Sequence, residues 1–225
     1  MIPVRDVIPS RTTPWVTVTL IAVNVLIFAY TLWLDSDARF DVLFRFGFAP
    51  AEGAWPAVLT SLFLHHGWLH LVANVIALWI FGENVEDRMG HARFLGFYLL
   101  CGTAGGFAGA WAAPGVVVPI VGPGAAIAGV IGAYFALFRR SRVLVLLPFV
   151  VFTDVIEVPA LLLAAVWMVL PIAGNAGRIV ASPGDTAFTL WTHAVGCLTG
   201  LAAVWIFRRP ERLRVDWWSG ERFRF

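Results

Sequence analysis

The apolar residues of the chain lie in long unbroken runs that are separated by shorter polar stretches. The runs cover residues 15–34, 68–81, 94–113, 124–138, 158–171 and 188–207, and the second run has an apolar extension back through 57–64. A helix that crosses a bilayer needs about 20 mostly apolar residues. Strands of a membrane β-barrel would show alternating apolar positions instead. The pattern therefore predicts an all-α membrane protein, a bundle of six transmembrane helices.

Composition agrees with this prediction and excludes several classes of protein. Hydrophobic residues make up 60% of the 225 positions and charged residues 13%, against about 45–50% and about 25% in soluble domains. These proportions exclude a soluble globular enzyme, a disordered chain and a nucleic-acid-binding domain. We therefore predict that the protein lies in a membrane, with the lipid bilayer as one of its partners.

Two segments do not fit a membrane span. Residues 35–55 mix charges with Phe, Leu and Trp, which is typical of a segment lying in the membrane interface. Residues 143–152 are too short to cross the bilayer and contain Pro148. We therefore interpret them as a re-entrant or connecting stretch.

Arginine indicates how the bundle is oriented in the membrane. All sixteen basic residues are Arg, and cytoplasmic loops of membrane proteins carry an excess of basic residues. With six spans and a cytoplasmic amino terminus, thirteen Arg lie inside and three outside. We predict that both termini are cytoplasmic, with a cytoplasmic N-terminal segment at 1–14, one membrane domain at 15–207 and an Arg-rich cytoplasmic tail at 208–225.

Polar residues cluster in the second apolar run. His70 and Asn74 are four residues apart and project from one helix face, and His65 lies just ahead of that helix. Polar side chains inside a membrane are costly and are candidates for function. Two such donors aimed at one point would stabilise an oxyanion. The same residues also suit hydrogen bonds between neighbouring helices.

A second cluster lies in the last run, where His193, Gly196 and Gly200 share one helix face. The two glycines form a small-xxx-small pair, which lets another backbone come close. Small residues also line the third and fourth runs, so we predict tight packing of the third, fourth and sixth helices. His193 is then either a packing residue or a general base held against a close neighbour.

Four short sequence patterns occur along the chain. They are H-x4-H-x3-N at His65, His70 and Asn74, G-x3-E-x3-G at Gly82, Glu86 and Gly90, T-H-x2-G-x3-G at Thr192, His193, Gly196 and Gly200, and EVPA at 157–160. With these patterns the sequence from 15 to 207 resembles the rhomboid family of intramembrane serine proteases. The resemblance implies a rhomboid-like bundle of six helices.

The chain departs from this family at one position. In the family the fourth helix begins with G-x-S-G, and its Ser is the nucleophile that the sixth-helix His activates. This chain has Gly122-Pro123-Gly124-Ala125, which puts Gly124 where the Ser would be. Residues 119–133 contain no Ser, Thr or Cys. A glycine supplies no atom that can attack a carbonyl carbon.

The resemblance and the departure together give the expected function. His193 keeps the general-base position, His70, Asn74 and His65 are the oxyanion-type residues, and inactive members of the family likewise carry a proline before the lost Ser. We predict a pseudoprotease that binds transmembrane segments of other proteins without cleaving them, with no cofactor and no metal, in a bacterial inner membrane. An active rhomboid serine endopeptidase and a small transporter or channel are the alternatives.

The orientation can be tested with reporter fusions. Fusions after Arg142 and after Arg224 should both report a cytoplasmic location, and a fusion near Asp185 should report the outside. Disagreement between the fusions after Arg142 and Arg224 would contradict the six-span bundle.

Overall fold

The computed structural model describes residues 2–6, 12–53, 55–148, 153–174 and 183–210. Arg178, one of the three Arg predicted to lie on the outer side of the membrane, and most of the Arg-rich tail are not among the described residues. Within them the protein is mostly helical. The helices are α1 (Trp15–Trp33), α2 (Ser36–Phe46), α3 (Ala57–Thr60), α4 (Trp68–Ala77), α5 (Glu83–Met89), α6 (His91–Ala112), α7 (Gly124–Leu137), α8 (Ala160–Gly174) and α9 (Pro183–Phe207).

A helix occurs at each of the six predicted positions, but the helices differ in length. Four of the described segments are long and apolar enough to cross a membrane: Trp15–Trp33, Trp68–Met89, His91–Ala112 and Thr186–Phe207. The second of these joins α4 to α5 through a π-helical segment, Leu78–Gly82. Helix α7 has 14 residues and α8 has 15, about 21 Å and 23 Å at 1.5 Å per residue. Both are shorter than the hydrocarbon core of about 30 Å.

The prediction of an all-α membrane protein is confirmed in part: the described residues are mostly helical, but they also contain a three-stranded antiparallel sheet. Its strands are β1 (Ile2–Asp6), β2 (Arg142–Pro148) and β3 (Thr153–Pro159), with β2 in the centre. Strand β2 pairs with β3 from Arg142 opposite Pro159 to Pro148 opposite Thr153. Strand pairing satisfies the backbone N–H and C=O groups that an irregular segment would leave unpaired.

The interpretation of 143–152 as a re-entrant stretch is therefore wrong for residues 143–148, which belong to β2. Residues 149–152 lie outside the described part of the chain. The segment does connect α7 with α8. Pro148 and Pro159 stand at strand ends, where a missing backbone donor does least harm to pairing.

Helix α7 lies at the centre of the bundle and packs against α6 and α9. Every residue from Gly124 to Tyr134 is buried. A Cβ atom on Gly196 would overlap the Ala125 backbone, and one on Gly200 would overlap the Gly129 backbone. The predicted tight packing of the third, fourth and sixth helices is thus present. The two backbones approach this closely only because these positions have no side chain.

Glu86 joins the first, second and third membrane helices at one end of the bundle. Its fully buried carboxylate accepts hydrogen bonds from the backbone N–H groups of Val16 (2.9 Å) and Thr17 (2.7 Å) and from the Thr17 hydroxyl (2.7 Å). These N–H groups lie in the first turn of α1, where they have no partner within the helix. The carboxylate also pairs with His91 Nδ1 at 2.6 Å.

The glycines that flank Glu86 in the sequence pattern make room for these contacts. A Cβ on Gly82 would lie 3.1 Å from the Thr17 hydroxyl oxygen, so a larger residue would push α1 away. Gly90 has a φ of +79° and provides the break between α5 and α6. A positive φ favours glycine. The G-x3-E-x3-G pattern is thus the joint between α1, α5 and α6.

Replacing Glu86 by Gln should destabilise the fold by about 1.5–3 kcal/mol, the usual value of hydrogen bonds to a charged group. Unfolding in mixed detergent micelles measures this change. Glu157→Gln is the matched control, because Glu157 pairs with Arg142 at 3.0 Å on the exposed surface, and exposed pairs contribute about 0–1 kcal/mol. Equal effects of the two substitutions would contradict this role of Glu86.

Candidate functional site

The site begins in the segment that leads into α7. Gly122 has a φ of +120°, which a residue with a side chain rarely adopts. Its N–H donates to the Ser61 carbonyl at 2.8 Å. A Cβ on Gly122 would overlap the imidazole ring of His70. The glycine therefore allows the segment to turn and to pack directly on a histidine of α4.

His193 faces Gly124 across the seam between α9 and α7. The His193 Nδ1–H donates to the Thr189 carbonyl one turn earlier, at 2.8 Å. The lone pair is then on Nε2, because a neutral imidazole has one donor and one acceptor nitrogen. A Cβ built on Gly124 would lie 2.8 Å from His193 Nε2 and 2.9 Å from Cε1. The ring thus presents its acceptor to position 124 and fills the space that a side chain there would need.

Asn74 and His65 form a second group of contacts. The Asn74 amide nitrogen lies 3.2 Å from His65 Nε2, and both side chains are buried. Burial, reinforced by the neighbouring His66, lowers the pKa of His65 to about 4. The ring is therefore neutral at neutral pH, and its Nε2 accepts the bond from the amide. Both side chains line a narrow void together with Asn24 and Pro123, with no room for a water-sized sphere.

His70 lies beside both groups. Its ring centroid is 5.1 Å from that of His65, and its ring also packs on Gly122. The predicted site residues therefore lie in one neighbourhood but in two sets of contacts. Gly124 pairs with His193, whereas Asn74 pairs with His65.

Two further residues contribute to the site but belong to none of the four sequence patterns. Trp167 of α8 donates its indole N–H to the Ala73 carbonyl of α4 at 3.2 Å. Its ring lies 5.7 Å from the His193 ring, centroid to centroid. Nothing in an apolar run marks one tryptophan as a site residue. Asn24 of α1 did carry a signal, as the one strongly polar residue of its run.

The chemistry of the arrangement follows from these contacts. The imidazole of His193, whose Nδ1 donates to the Thr189 carbonyl, has the form of a general base, whereas position 124 has no side chain. It can accept a hydrogen bond, and it has no hydroxyl there to activate. No three His, Cys, Asp or Glu side chains in the described ranges come together as a metal-binding group.

Comparison with known proteins identifies related chains. A family model described as "Rhomboid domain" matches residues 52–210. The "Rhomboid protease GluP" of Bacillus subtilis is 35% identical over 137 residues, which are 58% of this chain and 26% of that protein. The human "Presenilin-associated rhomboid-like protein, mitochondrial" is 30% identical over 142 residues, 61% of this chain and 37% of that protein.

A plant protein, "Rhomboid-like protein 11, chloroplastic" of Arabidopsis thaliana, is 30% identical over 167 residues. These are 72% of this chain and 56% of that protein. The chain therefore spans between about a quarter and somewhat more than half of the length of these relatives.

The contact between Gly124 and His193 can be measured by a double-mutant cycle. Gly124→Ala should destabilise the protein by about 1–3 kcal/mol, as overpacking does, because the new methyl group meets His193 Nε2. In a His193→Ala background the same change should cost less than about 0.5 kcal/mol, since the clash is gone. Unfolding in mixed micelles provides the free energies.

Gly96→Ala is the control, because a Cβ there would only touch Phe207 Cε1 at 3.7 Å, an ordinary contact. It should be neutral or stabilising by up to about 1 kcal/mol, as Gly-to-Ala changes inside helices are. An additive cycle would contradict the direct contact between Gly124 and His193.

Proposed function

The chain belongs to the rhomboid family, and from this premise we propose that it binds transmembrane segments of other membrane proteins without cleaving them. The observation that carries the proposal is the geometry at position 124. His193 Nε2 is directed at this position, as a general base would be, and the residue there is a glycine. Loss of the nucleophilic Ser costs a soluble serine protease about 10⁶ in turnover.

Three other hydroxyls, those of Ser61, Ser141 and Thr192, are not suited to replace the missing one. The Ser61 hydroxyl donates to the Val58 carbonyl at 3.0 Å. Ser141 accepts the Tyr134 hydroxyl at 2.6 Å beyond the far end of α7. Thr192 adjoins His193, but its hydroxyl oxygen lies against Gly109 of α6. Each of these side chains is used elsewhere or faces another helix.

Pro123 supports the same proposal. It fixes φ ahead of Gly124 and restricts Gly122. It also lines the void beside Asn74 and His65. In the proposed pseudoprotease, His70, Asn74, His65 and His193 are retained as hydrogen-bonding groups inside the bundle.

The proposal includes an arrangement in the membrane. All six apolar helices cross the bilayer, the shorter α7 and α8 among them, with both termini in the cytoplasm. Residues 1–14 and 208–225 flank the membrane domain at 15–207, and the bilayer is the inner membrane of a bacterium. The thirteen-to-three distribution of Arg supports this orientation.

An active rhomboid serine protease is the alternative, because a relative of the chain is named as a protease. This alternative needs a nucleophile that faces His193. Both hypotheses retain the same fold and the same base, so labelling of the nucleophile distinguishes them.

The wild-type protein should not react with a fluorophosphonate probe, which labels activated serines. Gly124→Ser alone should label weakly, because the Ser Cβ would lie 2.8 Å from His193 Nε2 and a misplacement of about 1 Å can cost about 10²-fold. The triple change Pro123→Ala, Gly124→Ser, Ala125→Gly should label more strongly. It relaxes the segment and removes the Ala125 methyl, which occupies the space that a Cβ on Gly105 would need.

Adding His193→Ala to the triple change is the control. It should abolish the gain, because the base is then absent. Wild-type labelling or cleavage of a model transmembrane substrate that is lost in His193→Ala would contradict the proposal. Wild-type cleavage that survives His193→Ala would indicate a contaminating protease.

A further inference from the structure

Helix α8 is attached to the bundle by a narrow stripe of residues. Among its described side chains, at 160–169, the buried ones are Ala160, Ala164 and Trp167. These positions are spaced by four and three and share one helix face. The opposite face is open, with Leu161 and Val169 more than half exposed. Trp167 is therefore the one large side chain in the described part of α8 that is buried against the bundle.

Trp167 makes two different contacts, one with each end of the site. Its indole N–H donates to the Ala73 carbonyl of α4 at 3.2 Å, one residue before Asn74. Its ring packs at 47° to the imidazole of His193, with centroids 5.7 Å apart. Aromatic rings at such distances attract each other beyond simple burial. The indole thus lies between α4 and α9 and touches the ring that faces Gly124.

The imidazole of His193 is restrained by one hydrogen bond and by packing. Within the described residues its one hydrogen bond is the bond from Nδ1 to the Thr189 carbonyl. That bond holds the Nδ1 edge of the imidazole ring. Rotation of the ring about this bond is limited by the residues that pack against the ring. On one side the ring faces Gly124, which has no side chain to hold it. On another side the imidazole packs against the indole of Trp167.

We propose that Trp167 is a positioning residue for His193. The indole ring holds the imidazole with Nε2 directed at Gly124, and the bond to the Ala73 carbonyl keeps the indole in place. The orientation of His193 then depends on α8 remaining packed on α4. This inference does not rest on the proposed lack of activity, since it concerns the ring and not the nucleophile.

The test is the reaction of individual histidines with diethylpyrocarbonate, which modifies accessible neutral imidazole nitrogens. The full-length protein is treated in detergent at constant pH, and each histidine is quantified by peptide mass spectrometry. Trp167→Leu should raise the rate at His193 by about fivefold, as expected for the loss of an aromatic pair contact. Trp167→Phe, which keeps a ring and loses the N–H, should stay within about twofold of wild type on the same scale.

The other histidines serve as internal references. His65 is 1% exposed and should remain protected, and the more exposed His66 and His91 should react at unchanged rates. Trp33→Leu is the matched control, because Trp33 is 92% exposed, and it should leave His193 unchanged. If Trp167→Leu does not fold, Trp167→Met replaces it as the variant without a ring.

Three results would overturn the proposal. An unchanged rate at His193 in the variant without a ring would show that the indole does not restrain it. A parallel rise at His65 would show general loosening of the bundle. Equal rates in Trp167→Phe and Trp167→Leu would assign the effect to the bond with Ala73 and not to the ring.

Discussion

Helices α7 and α9 touch backbone to backbone along a seam of glycines, and the site exists because of that contact. Gly196 and Gly200 of α9 meet the backbones of Ala125 and Gly129 of α7. Without a hydrophobic driving force between helices in lipid, such close packing is a main source of attraction. The seam continues one turn further, where the ring of His193 enters the space left at Gly124. Because position 124 is a glycine, the imidazole there makes one more packing contact of the same seam.

Much of this arrangement follows from local sequence patterns. The apolar runs predict the helices, the glycine spacing predicts the seam, and the spacing of His70 and Asn74 puts them on one face of α4. The pairing of Gly124 with His193 required the family resemblance, because the two residues are 69 positions apart. Local periodicity does not determine which residues of two neighbouring helices come opposite each other.

Other features depend on contacts between distant segments and were missed for that reason. The strands β1 and β2 lie far apart in the sequence, so the pairing that makes them a sheet is not visible in either segment alone. Trp167 looks like any other apolar residue until α8 is packed on α4. The structural role of Glu86 could not be predicted from the sequence either, because the groups that donate hydrogen bonds to it belong to the start of α1. In each case the partner, and not the residue itself, determines the role.

The central claim, a rhomboid bundle that binds transmembrane segments and leaves them intact, is tested most directly in proteoliposomes. The purified wild-type protein is mixed with a labelled single-span peptide, binding is followed by energy transfer, and the peptide mass is measured in the same sample. The account predicts saturable binding and an intact peptide. Absence of saturable binding, or fragments whose formation is lost in His193→Ala, would contradict it.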